Sequence, residues 1–325
     1  MNFQTSIDIK PLPVPITYHD NVMLVGSCFT EHICNNLQDL KFKILQNPNG
    51  ILFETTSVCS SMISYLQKKQ YNSEDLFFYN ELWQSWNHHS RFSNPSQELC
   101  LQTINASQSK AHQFLKEADW LLITLGSSFV YKLKETGQFV ANCHKAPSQW
   151  FEKYFLSIDE QITMLDNLMH QLFYSNKTIK IIFTISPVRH LRDGVVDNNR
   201  SKARLLETVH HLVNKFDRLY YFPAYELVID VLRDYRFYDI DLAHPNYAAT
   251  QFVMEKFQEY AFNEPTVQLS KEIKQLVIAK NHKPFHEASN QHQLFLKQQL
   301  ERTQTLATTH SYINFTEELR FFKKQ

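Results

Sequence analysis

Glycine is nearly absent from this chain, with five residues among 325 where roughly 7% is usual. A sequence this poor in glycine is expected to keep each one where a β-carbon would not fit or would block a backbone approach. Neither sign of charge is in excess: 33 lysines and arginines face 33 aspartates and glutamates, and the net charge is zero. That balance lacks the basic surplus that backbone-driven nucleic-acid binding requires, so no nucleic-acid partner is expected. Long apolar runs are missing too. None approaches the roughly 20 residues of a membrane helix, and no membrane span is expected. The opening stretch, Met1 to Tyr18, carries Asp8 and prolines 11, 13 and 15 without an apolar centre, so it does not read as a secretion signal. The five cysteines are odd in number and without Cys-x-x-Cys spacing, which argues against a disulfide framework and a zinc ribbon. No metal and no cofactor is expected, and the chain reads as a soluble, cytoplasmic protein of a reducing compartment.

What is present is a globular composition, 43% hydrophobic and 14% aromatic, which excludes a disordered chain. Five short apolar runs end at turn residues: Val22–Val25 at Gly26, Lys41–Leu45 at Asn47-Pro48-Asn49-Gly50, Trp120–Leu125 at Gly126, Ile179–Ile185 at Ser186-Pro187, and Leu219–Phe222 at Pro223. Continuous rather than alternating apolar runs suit parallel strands buried on both faces. Helical patterns lie between them, over Thr30–Leu40, Gln108–Glu117, Ile158–Tyr174 and Ser201–Lys215. Strand alternating with helix predicts a doubly wound α/β sheet of about five parallel strands, whose ligand sites lie outside the carboxyl ends of the strands. Residues 1–265 form the expected catalytic domain. Within it 54–107, with Trp83, Trp86, His88 and His89, is expected to be an insertion over the site. Residues 266–325 are expected to form a helical C-terminal arm through which the chain could oligomerise.

Two stretches carry the chemistry. In Leu24-Val25-Gly26-Ser27-Cys28-Phe29-Thr30-Glu31 a buried strand delivers a nucleophile-type residue into the first turn of a helix. Unpaired N–H groups and the helix dipole there favour an anion and are expected to lower a thiol's pKa. Far downstream, Asp241 stands three residues before His244. In one turn the carboxylate can hold the imidazole Nδ1–H while Nε2 faces a nucleophile, the set that acyl transfer needs.

Gly-Ser-Cys-Phe, Asn-Pro-x-Gly, a Leu-Gly strand end, Ser-Pro-Val-Arg and Asp-x-x-His-Pro, in this order, resemble the GSCFA-domain proteins of the SGNH (GDSL-like) hydrolase superfamily. The resemblance runs from about Val22 to about Val253 and touches His282-Lys283-Pro284-Phe285. It implies a three-layer flavodoxin-like fold and hydrolysis or transfer of ester-type acyl groups through a covalent acyl-enzyme. Asp241 and His244 match the superfamily's base motif. A gapless overlay on its Gly-Asp-Ser motif puts Cys28 in the nucleophile's place, with Ser27 the alternative. The implied oxyanion hole uses the nucleophile's N–H, a glycine matched by Gly50, and an asparagine after the third strand. Gly126-Ser127-Ser128 lacks that asparagine, so Ser127, a backbone N–H, or Asn47, Asn49 or Asn142 would have to substitute. Among other residues, Arg189 could clamp a carboxylate or phosphate or pair within its loop. Trp86, His88 and His89 could line a substrate pocket or pack a lid. The expected partner is a small-molecule, lipid or glycan acyl substrate. The missing asparagine leaves a second possibility, a binding protein without catalysis.

Overall fold

The computed structural model describes residues 5–323, so Met1–Gln4 of the opening stretch and the last two residues of the C-terminal region lie outside it. The chain begins with β1 (Asn21–Gly26), α1 (Cys28–Asp39), β2 (Lys43–Gln46) and α2 (Thr55–Leu66). A small hairpin follows, β3 (Phe77–Tyr79) and β4 (Leu82–Gln84), and then α3 (Gln97–Glu117) leads into β5 (Trp120–Leu125). Next come β6 (Phe129–Leu133), β7 (Phe139–Val140) and β8 (Phe151–Phe155), then α4 (Ile158–Ser175), β9 (Lys180–Ile185), α5 (Val195–Lys215) and β10 (Leu219–Tyr221). A short α6 (Ala224–Glu226) runs into a π-helical turn, and α7 (Tyr247–Ala261), α8 (Glu264–Asn281), α9 (Asn290–Thr309) and α10 (Thr316–Phe322) complete the fold.

The five expected strands form one parallel sheet in the order β2-β1-β5-β9-β10. Counted along the chain this is 2-1-3-4-5, the flavodoxin-like winding, and its topological switch point falls between the first and third strands, here β1 and β5. The period-2 alternation of a strand divides the buried side chains between two faces. Val22, Leu24, Trp120, Leu122 and Ile182 pack with α1, α7 and the C-terminal helices. Met23, Val25, Leu121, Ile123, Ile181 and Phe183 pack with α2, α3, α4 and α5. The result is a three-layer α/β fold.

Four features differ from the sequence reading. The helix before β5 begins at Gln97 rather than Gln108, capped by Ser96. The expected insertion over 54–107 is narrower, because α2 belongs to the layer against α4, its buried Val58 and Met62 joining the sheet core. A serine- and threonine-rich start disguises that helix, and only the stretch between α2 and α3 is inserted. The antiparallel sheet β7-β6-β8, unforeseen, is short and partly exposed, so its strands carry little apolar signal. Finally, the C-terminal helices are not set apart from the α/β region that precedes them. Leu269, Ile273, Leu276, Leu296, Leu306 and Phe322 join the same core cluster as Val22 and Leu24. Buried Glu318 ties α10 to Lys41 (2.7 Å) and to Lys280 of α8 (3.2 Å).

Glu54, fully buried at the entrance to α2, accepts a hydrogen bond from Ser57 Oγ, and burial pushes its carboxyl up to about 7. A carboxyl raised in the folded state stabilises the fold while both states are protonated. That stabilisation is lost as pH rises from the ordinary carboxylate range toward 7, where the unfolded chain ionises first. Wild type is therefore expected to lose up to about 3 kcal/mol between pH 4.5 and 7.5 relative to Glu54→Gln, read from urea midpoints at the two pH values.

Candidate active site

The site is assembled where β1 and β5 part. Gly26 ends β1 with φ +143°, and a β-carbon there would stand 2.3 Å from Thr124 O of β5, so only glycine lets the two backbones meet. Its N–H donates to Asn47 Oδ1 (2.9 Å), and its carbonyl accepts from Leu52 N–H (3.2 Å). The loop after β2 therefore lies across the end of β1. It continues over β5, where Gly126 N–H donates to Phe53 O (2.7 Å).

Directly after Gly26, Ser27 is buried and caps α1, its Oγ accepting from Phe29 N–H (3.2 Å). Cys28 is the first residue of α1 and is half-buried. Its thiol is raised, not lowered as the helix-terminus argument anticipates: desolvation outweighs the hydrogen bond from Phe29 N–H, Glu31 adds to the rise, and Lys202 opposes it. The dipole of one helix does not offset the loss of water around sulfur. Because the Ser27 hydroxyl serves the helix end, Ser27→Ala is expected to lower stability by about 1 kcal/mol in a denaturant titration.

The Asp241–His244 turn closes on itself through Asp239 N–H to His244 O (2.8 Å). Asp241 Oδ1 accepts from the N–H groups of Ala243 (2.9 Å) and His244 (3.0 Å), while Oδ2 meets His244 Nδ1 at 2.6 Å. Those two backbone N–H groups and then the imidazole hold the Asp241 carboxyl down to about 2. The turn is anchored to the loop after β9 by Arg189 N–H donating to Ala243 O (3.0 Å). The charge of His244 acts on His190 in that loop and on His32, one turn after Cys28 in α1. Two stretches more than two hundred residues apart thus share one rim at the carboxyl ends of the strands. Among the described residues no hydrogen bond joins His244 to Cys28 or Ser27, and the half-exposed imidazole leaves Nε2 free to take a partner.

Residues 21–257 match the GSCFA family, and residues 273–325 match the GSCFA domain protein, C-terminal domain. The chain belongs to the GSCFA family. No curated protein matches it.

In this GSCFA protein the expected oxyanion donors are differently used. Gly50 N–H closes its own turn onto Asn47 O (2.8 Å), and Gly126 N–H is taken by Phe53, so neither amide points to an empty site. Gly50 is glycine because φ is +87° and a β-carbon would fall 2.1 Å from that of His89. The Ser127 hydroxyl accepts from Phe129 N–H (2.9 Å) and lies against Ser201 Oγ (3.4 Å). Asn47 keeps a free donor: its Nδ2 is buried without a partner while its Oδ1 holds Gly26. Asn142 caps its own turn through His144 N–H.

The expected substrate-binding residues divide. Arg189 is engaged within the fold, its guanidinium over Tyr238 (4.6 Å) and bonded to Tyr235 Oη (3.2 Å). Trp86 is half-buried, stacked on Phe77 at 3.5 Å, and lines a cavity of about 560 Å³ with Leu133 and Trp150. His88 is buried between Tyr71 and Phe92, and burial pushes its pKa down to about 3. His89 lies nearer the rim, against Gly50 and within the field of Glu31. Among the described residues no group of three or more His, Cys, Asp or Glu is arranged to hold a metal, and no helix is long and apolar enough to cross a membrane.

Lys202 of α5 was not singled out in the sequence. It is 1% exposed, and its Nζ donates to Gly126 O (2.6 Å) and Ser186 O (2.7 Å), the residues that follow β5 and β9. Burial pushes its pKa down to about 7, and Cys28 is the group that raises it. A signal did exist: stepping back from Leu212, Val209 and Leu205 at helical spacing lands on Lys202, a lysine on the buried stripe. His32 was also missed. It opens onto a groove of about 450 Å³ between α1, α7 and α8, lined by Asn35, Tyr247, Gln251, Lys274 and Asn281.

Proposed function

We propose that this GSCFA protein is an SGNH-type acyl-transfer enzyme that hydrolyses or transfers the acyl group of an ester or thioester through an acyl-Cys28 intermediate. The observation that carries the reading is the preformed Asp241–His244 pair, 2.6 Å apart with Nε2 free, at the rim where β1 delivers Cys28. In this mechanism His244 Nε2 takes the thiol proton as sulfur attacks the carbonyl, and returns it to the leaving group as the tetrahedral intermediate collapses. Asp241, ionised from about pH 2 upward, fixes the imidazole tautomer. The raised thiol makes such a base necessary, because little thiolate exists at rest. Cys28 N–H and Asn47 Nδ2 are the donors assigned to the oxyanion. The 2-1-3-4-5 winding and the order of the motifs support the superfamily assignment, and the groove beside His32 offers room for the body of a glycan, lipid or small-molecule substrate.

One observation favours a second reading, a ligand-binding protein without turnover: the amides of Gly50 and Gly126 are both consumed inside the fold. A fluorophosphonate and an iodoacetamide probe separate the two. Labelling at Cys28 or Ser27 that disappears in His244→Ala belongs to the enzyme, and absence of selective labelling belongs to the binder.

A further inference from the structure

In the inserted stretch between α2 and α3 and in the β7-β6-β8 sheet, the chain lays its own cations over its aromatic rings. Lys69 lies over Tyr71 (4.3 Å), Lys132 over Tyr154 (3.8 Å) and Lys153 over Phe129 (4.0 Å). Phe77, Phe78, Trp86 and Trp150 have no such cover: among the described residues no lysine or arginine lies over any of these four rings. They line one cavity of about 560 Å³, where the β3–β4 hairpin meets the turn between β6 and β7. Phe78 and Trp150 are exposed, while Phe77 and Trp86 are half-buried and lie nearly parallel, 8° apart.

The charge in the cavity has the complementary sign. Glu74, Asp75 and Glu135 line it against a single cation, Lys134. Lys69 pairs with Asp75 at 3.0 Å, but among the described residues neither Glu74 nor Glu135 is held in an ion pair. Two unpaired carboxylates against one lysine leave the cavity negative. Its frame is fixed by backbone bonds: Lys134 N–H donates to Trp150 O (2.9 Å), Gly137 N–H to Leu133 O (2.8 Å) and Ala141 N–H to Trp86 O (2.7 Å). Ring faces and carboxylates both attract positive charge, and aromatic walls of this kind receive alkylammonium groups. An anion would meet the wrong sign, and a neutral hydrocarbon would leave the carboxylates unused.

We infer that this cavity is a binding site for a small organic ammonium ion, held by cation–π contact, with Trp150 the most open tryptophan, and by the charge of Glu135 and Glu74. It shares no residue with the Cys28–His244 rim, so the inference goes beyond the acyl-transfer reading and stands or falls independently of it.

The test is an NMR titration of the full chain labelled at the tryptophan indole nitrogens, with choline chloride replacing sodium chloride at constant ionic strength. Fully buried Trp120 is the internal control. The Trp86 and Trp150 signals are expected to move and saturate while Trp120 stays. The neutral isostere 3,3-dimethylbutan-1-ol is expected to bind about fivefold more weakly than choline. Trp150→Leu, which keeps an apolar wall without a π face, should abolish that preference, and Glu135→Gln should weaken choline about twofold. Both positions are exposed, so both variants should fold, which urea midpoints check. Should Trp150→Leu fail to fold, the two probes on wild type and Glu135→Gln still decide. A parallel titration with Nα-acetyl-lysinamide separates sources: tighter binding than choline points to the side chain of a peptide, weaker binding to a free quaternary ammonium. Equal affinity of wild type for choline and its isostere overturns the inference. So do unmoved Trp86 and Trp150 signals, or choline binding that neither variant alters.

Discussion

Turnover of a short thioester or ester probe is expected to fall roughly 10^4-fold or more in Cys28→Ala, by a similar factor in His244→Ala, and little further in the double variant, because residues that act as one unit are non-additive. Ser27→Ala keeps turnover within its small stability loss, since its hydroxyl caps α1 rather than facing substrate. The pH profile carries a second signature. Asp241 ionises at about 2, so no acid limb from that carboxyl falls in the working range. Cys28, raised by desolvation, contributes rising reactivity toward alkaline pH when His244 is removed and hydroxide must take its place. Initial rates of the four variants between pH 5 and 10 check both points. Full activity in Cys28→Ala, with activity lost in Ser27→Ala, would move the nucleophile to the serine.

Gly26→Ala is expected to remove the cooperative fold. A β-carbon at this position meets three backbone atoms of Thr124, at 2.3, 2.8 and 2.9 Å, and the φ of +143° is one that L-residues rarely adopt. Neither strand can yield, because β1 and β5 are adjacent central strands whose side chains are buried on both faces. The close approach also carries the site, Ser27 N–H donating to Thr124 O (3.2 Å). A destabilisation above about 4 kcal/mol follows, the range reserved for backbone clashes and broken cores. Gly137→Ala is the control. It has positive φ as well, but no atom lies within 4 Å of its β-carbon, so about 1–2 kcal/mol of backbone strain is the whole expected effect. Equilibrium urea denaturation of the two variants separates steric clash from conformational preference; similar midpoints would refute the account of Gly26.

The central sheet was legible because parallel strands buried on both faces leave continuous apolar runs, and each run ended within a residue or two of its expected stop. The helices α4 and α5 showed through their periodicity, although α5 begins six residues earlier than the pattern, at Val195. What escaped were elements whose stability is mostly tertiary. Helix α2 opens Thr-Thr-Ser-Val-Cys-Ser-Ser-Met, in which small hydroxyl side chains interrupt the apolar positions, yet it is buried because α4 covers it. The β6–β8 sheet is held by antiparallel pairing and by Lys132 and Lys153 lying over aromatic rings, contacts invisible to hydropathy.

Sequence alone determined the motif pair, Gly26-Ser27-Cys28 at a strand end and Asp241-x-x-His244 in one turn, since local patterning fixes strand ends and a three-residue spacing fixes which groups share a turn. Tertiary structure decided the electrostatics. The thiol is raised because neighbouring elements exclude water from it, and Lys202, 174 positions away in the chain and held on the carbonyls that follow β5 and β9, only partly opposes that rise. The amides of Gly50 and Gly126 are spent on the loop that spans the strand ends. Burial and through-space charge depend on what folds back over a residue, and no window of local sequence contains that.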